Sequence, residues 1–79
     1  MASNPADIAP RAQLVQADFS AQDLSGKDFY KANLAGANLA GANLVKAGFV
    51  GANLSDVNLS GANLKNAELR GVSLRGADL

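Results

Sequence analysis

The sequence predicts an all-β chain wound into a coil of short straight pieces and corners, and three observations carry that expectation. Fourteen large apolar centres recur every five residues without a slip: Leu14, Phe19, Leu24, Phe29, Leu34, Leu39, Leu44, Phe49, Leu54, Leu59, Leu64, Leu69, Leu74 and Leu79. Two positions before each centre stands Ala ten times and Val twice, with Gln22 and Lys27 as the exceptions. Two positions after a centre stands Gly in seven of thirteen units, and only one other glycine, Gly48, occurs.

A period of five suits neither regular element. On an α-helix each step of five advances ~500°, so successive centres rotate by ~140° and build no apolar stripe. On a continuous strand an odd step flips every centre to the opposite face. A chain in which Ala and the centre two residues on point the same way, with a corner restoring the direction, satisfies both constraints. Each unit is then one side of a polygon. Gly at the corner fits a positive φ, as in a type II turn. The residue before the centre is Asn six times and Asp four, types whose short polar side chains bond nearby backbone in tight turns.

The elements follow in chain order. The opening MASNPADIAP is polar, holds two prolines and lacks a basic start or an apolar run, so it does not read as a signal peptide. Residues 1–11 are expected to form an N-terminal cap or flexible arm, with Pro5 and Pro10 unable to donate hydrogen bonds. The repeat then runs over residues 12–79 as one unit. No stretch approaches the ~18 apolar residues of a membrane span, and a cytoplasmic location is the expectation from this opening. Gln22 and Lys27 fall on inward positions of the first coil, where long polar side chains can plug or snorkel out of an open end.

Ala, then Asn or Asp, then Leu or Phe, then two variable residues, resembles the pentapeptide-repeat family over residues 12–79, in its low-aromatic Ala-Asn-Leu type that is abundant in cyanobacteria. The resemblance implies a right-handed four-sided parallel β-helix, a solenoid with four pentapeptides per coil and about 3.4 coils. Residues twenty apart would then stack, placing Asn33 over Asn53 and Asn43 over Asn63. The leading expectation for function is a non-enzymatic structural or protein-interaction module, a rigid rod whose flat sides present side chains at fixed spacing. The alternative, which the resemblance implies, is a duplex-DNA mimic that binds DNA gyrase and confers quinolone resistance. Such mimicry needs a strongly acidic surface and more length, whereas this chain has seven Lys+Arg against seven Asp+Glu.

Little in the sequence carries chemistry. There is no His and no Cys, so a Ser nucleophile has no imidazole base and no thiolate metal site can form. Asp18, Asp23 and Asp28 look like a carboxylate cluster, but their spacing puts them on three different sides, where they diverge instead of enclosing a cation. Asn53-Leu54-Ser55 and Asn58-Leu59-Ser60 match a glycosylation acceptor and arise from the repeat itself. Neither catalytic residue, metal nor cofactor is expected, and neutral charge supplies no footprint for nucleic acid or an anionic membrane. Three outward apolar residues, Tyr30, Val45 and Val50, form a candidate partner patch. Lys65, Arg70 and Arg75 near one end and Asp18, Asp23 and Asp28 near the other give a mild axial dipole. After Leu79 no polar cap follows, so a homodimer, as a closed two-fold contact, or further coils are expected at the C-terminal edge.

Overall fold

The structure, a computed structural model, describes residues 2–79. It is a coil held by ten isolated parallel bridges, each joining residues twenty apart, from Gln13–Asn33 to Asn58–Asp78. Twenty residues per turn is four pentapeptides, so the chain has four sides: residues 12–14, 17–19, 22–24 and 27–29 in the first coil, each repeated at intervals of twenty. No continuous strand forms among the described residues. Each side is only long enough for one bridge before the corner turns it.

Each unit of five distributes its backbone groups in the same way. The centre donates forward to the next coil, as Leu34 N to Asn53 O (2.8 Å), and the residue before it donates backward, as Asn53 N to Ala32 O (2.9 Å). The second corner residue also donates forward, as Gly36 N to Ser55 O (2.8 Å), and the corner closes with Ala37 N to Leu34 O (2.9 Å). One N–H per unit is left, on the residue after the centre. The Asn or Asp side chain takes it: Asn33 Oδ1 accepts from Ala35 N (3.2 Å), Asn38 Oδ1 from Ala40 N (3.0 Å) and Asn58 Oδ1 from Ser60 N (3.0 Å). The Asn and Asp rule of the sequence is therefore a hydrogen-bonding rule.

All thirteen second corner positions, and Arg11 before them, have positive φ. Seven are glycine, but Gln16, Ala21, Lys31, Lys46, Asp56 and Asn66 hold the same conformation at φ 53 to 61°. The ladder enforces the left-handed turn wherever the side chain makes it costly.

Inside, Leu14 to Leu59 and the Ala row from Ala32 to Ala52 with Val57 are buried. Phe29 and Phe49 stack face to face, centroids 4.7 Å apart and 4° from parallel, at the spacing of the coils themselves. The expected core needs correction at its end. Leu64 is only partly buried, and Leu69, Leu74 and Leu79 are 36, 37 and 74% exposed, because no coil lies over them. The molecule is also blocklike, 27 × 23 × 22 Å, and not the rod expected.

At the N-terminal end Pro5–Asp7 form a short 3₁₀ helix, with Asn4 Oδ1 accepting from Ala6 N (2.9 Å). Ile8 packs on the core. Ser3 pairs with Asp18 twice, donating its N–H to Asp18 O (2.6 Å) and accepting the Asp18 N–H at Oγ (2.9 Å). Met1, part of the segment expected to shield this end, lies outside the described residues.

Candidate interaction surfaces

The corner residues are the outward-facing vocabulary of the coil, and the twenty-residue register decides which of them meet. Tyr30, Val50 and Arg70 stack on the corner after the fourth side, with Arg11 and Lys31 beside them. Val45 lies on the corner before that side, between Ser25 and Lys65. Of the candidate patch, Tyr30 and Val50 thus share one corner and Val45 faces them across the side. All three are half-buried. The Tyr30 ring is flanked by two cations, the Arg11 guanidinium carbon at 5.5 Å and Lys31 Nζ at 5.3 Å from its centroid, which places both within cation–π range. Sequence reading overlooked Val15, the most exposed valine at 53%. Its position after the first centre, with no earlier coil above it, was the available signal.

The carboxylates diverge as the spacing requires. Asp18, Asp23 and Asp28 each turn Oδ1 onto the N–H two residues on, at 3.1, 3.2 and 3.0 Å, and no group of metal-ligating side chains forms among the described residues. The Ser20 hydroxyl, donating at 2.7 Å, and the Ser20 N–H hold the Asp18 carboxyl below its usual range. At Asp23 the Ser25 N–H does the same, helped by Asn43 Nδ2 (3.2 Å) and the positive charge of Lys27. The expected amide ladders are partly present: Asn53 Nδ2 donates to Asn33 Oδ1 at 3.3 Å, while Asn43 bonds Asp23 in the coil before it and no bond joins Asn43 to Asn63. Gln22 Nε2 donates to Ser3 O (3.1 Å), and its Oε1 is buried without a partner among the described residues.

The two ends of the coil differ in chemistry. At the C-terminal edge the N–H groups of Leu64, Leu69, Leu74 and Leu79, and of Gly61, Asn66, Gly71 and Gly76, donate to no backbone carbonyl among the described residues. The matching carbonyls of Ala62, Ala67, Val72 and Ala77 accept no backbone N–H among the described residues. That edge therefore has twice as many donors as acceptors. The first coil is the mirror case: the carbonyls of Gln13, Val15, Ser20, Asp23, Ser25 and Asp28 accept no backbone bond, while those of Asp18 and Tyr30 are taken by Ser3 and Arg11.

A five-residue unit with an Asn or Asp turn acceptor, an inward Ala and Leu pair and a twenty-residue parallel register is matched by one family model, pentapeptide repeats, over residues 12–49 and 47–79. The chain belongs to the pentapeptide-repeat family. Solved structures of the family agree. A pentapeptide-repeat protein of the cyanobacterium Cyanothece is 38% identical with a TM-score of 0.82, covering 85% of this chain and 46% of that one. HetL of the cyanobacterium Nostoc, described as involved in heterocyst differentiation regulation, is 28% identical with a TM-score of 0.55, covering 87% and 47%. A pentapeptide-repeat protein of the Arabidopsis thaliana thylakoid lumen is 40% identical with a TM-score of 0.52, covering 73% and 43%. The chain spans less than half the length of these three. A search of the curated proteins returns no match. These neighbours make the coil a β-helix. No helix among the described residues is long and apolar enough to cross a membrane.

Proposed function

We propose that this pentapeptide-repeat chain is a non-enzymatic protein-interaction module, a right-handed four-sided β-helix of about 3.4 coils that docks through its C-terminal edge. The observation that carries the reading is the coincidence there of exposed Leu69, Leu74 and Leu79 with eight backbone donors that lack acceptors. Unpaired edge groups and apolar surface in one place are what strand addition uses, main-chain bonds supplying affinity and side-chain burial the rest.

The polarity of that edge supports one kind of occupant over another. A two-fold contact would set a donor-rich edge against itself and leave at least half of its N–H groups unpaired. A following coil in the same direction presents an acceptor-rich edge, as the first coil of this chain does beneath Ser3 and Arg11. Further pentapeptide coils are thus a better match than a two-fold copy. Nothing on the surface favours gyrase mimicry, since cations are as numerous as carboxylates.

Light scattering on the 79-residue chain tests the edge. Concentration-dependent association is the expected result, and a clean monomer at high micromolar concentration with a sharp, reversible melt would show that the edge needs no partner.

A further inference from the structure

The net charge of zero conceals a division across the coil that the twenty-residue register creates. The fourth side is bounded by the corners at 25–26, 45–46 and 65–66 and at 10–11, 30–31, 50–51 and 70–71. This face carries Arg11, Lys31, Lys46, Lys65 and Arg70, all exposed, against Asp28 and Glu68. The other three sides and two corners of the repeat carry Asp18, Asp23, Asp56 and Asp78 against Arg75 alone. Lys27 sits on the inner row, and Asp7 in the segment before the repeat. Charge is therefore segregated transversely.

Within the face only Arg70 has an ion-pair partner among the described residues, Glu68 at 3.6 Å, with both side chains largely exposed, a pair of small energetic weight. Between the cations lie the half-buried Tyr30, Val45 and Val50. Coils repeat at ~4.8 Å, so Arg11 to Arg70, three coils apart, spans about 14 Å.

We infer that this face docks an acidic protein segment, whose carboxylates meet the five cations and whose two apolar side chains seat over Val45 and Val50. The inference names a partner class for the interaction module proposed above, but it uses the flank and not the C-terminal edge. An apolar centre rimmed by charge is the anatomy of a protein interface. Uniform polyanions fit worse. Nucleic acid presents a phosphate charge about every 1.7 Å, and Asp28 and Glu68 stand inside the face to repel it. The one aromatic ring on this face's surface, Tyr30, already has two cations within reach of its π-system, and a single ring makes no run of stacking platforms. A protein segment can place its carboxylates opposite the cations and leave the two acidic positions unopposed.

The test uses two variants matched in chemistry and position in the unit. Lys65→Glu changes the face, and Arg75→Glu makes the same charge change on an exposed corner outside it. The probe is a fluorescein-labelled twelve-residue peptide of Glu and Gly with two central Leu, titrated at low salt. Circular dichroism of each variant verifies the fold, and a second reversal, Lys46→Glu, replaces Lys65→Glu if that variant fails to fold. Expected is binding to the parent chain, weakened about tenfold or more by the reversal on the face and less than about twofold by Arg75→Glu. Equal losses in the two variants, or no binding at all, would overturn the inference. So would tighter binding of a twelve-nucleotide oligo-dT or of phosphatidylserine vesicles than of the peptide, or unchanged binding when Gly replaces the two Leu.

Discussion

Gly48 occupies the one place before a centre where the turn acceptor is missing altogether. Its coil neighbours twenty residues away are Asp28 and Glu68, and the Val50 N–H it should serve has no acceptor among the described residues. A Cβ at Gly48 would meet Asp28 Oδ1 at 3.7 Å, an ordinary contact, and its φ is not in the left-handed region. Gly48→Asn should therefore stabilise the chain by about 1 kcal/mol in urea melts, from one added turn bond and a stiffer unfolded chain. Gly61→Ala should do the reverse. Gly61 has φ +70°, so a Cβ there costs about 1 kcal/mol even though it would meet the Gly41 backbone only at an ordinary contact distance, 3.8 Å. The same residue scale gives a pH dependence. Asp18 and Asp23 have carboxyl pKa values lowered by their turn bonds, so their stabilisation is complete above the ordinary value, about 3.9, and disappears as pH falls through the lowered ones. The melting temperature should drop below about pH 4, and less steeply in Asp18→Asn/Asp23→Asn, which keeps both turn acceptors.

At the scale of one side, the inward Ala row sets the volume limit. Ala52 is buried and lies in register between Ala32 and Val72, so Ala52→Leu should cost roughly 1 to 3 kcal/mol by overpacking. Lys65→Leu, exposed on a corner, should change stability by less than about 0.5 kcal/mol. A reversed rank in chemical melts would invert inside and outside. This scale is also where the sequence was most legible. Fourteen centres five apart excluded helix and strand, and the Ala row two residues earlier gave the inward pair. The left-handed conformation at Gln16, Ala21 or Lys31 was not legible, because nothing in those side chains asks for a positive φ. The ladder bonds of their own N–H groups, such as Gln16 N to Ala35 O at 2.8 Å, impose it.

Across the whole molecule, legibility fails for burial near an end and for the surface. Leu74 and Leu34 have the same place in the repeat, yet one is 37% exposed and the other fully buried, since burial depends on the next coil and not on the residue. The cationic face was hidden for a related reason: Arg11, Lys31, Lys46, Lys65 and Arg70 are scattered in sequence and converge only in a twenty-residue register. The end effect can be measured by appending a copy of residues 40–59 after Leu79, which continues the repeat in register. Covering Leu64, Leu69, Leu74 and Leu79 should raise stability by several kcal/mol, at about 1.5 kcal/mol or more per leucine before ordering costs. An unchanged melt would mean that the open edge carries little strain.

The register itself is open to direct observation through scalar couplings across hydrogen bonds in the ¹⁵N,¹³C-labelled chain. Couplings are expected from the amide nitrogens of Leu34, Leu39 and Leu44 to the carbonyl carbons of Asn53, Asn58 and Asn63, the partners at 2.8, 2.7 and 2.8 Å. Couplings from these nitrogens to carbonyls at any other offset, such as four residues back along a helix, would contradict the four-sided coil.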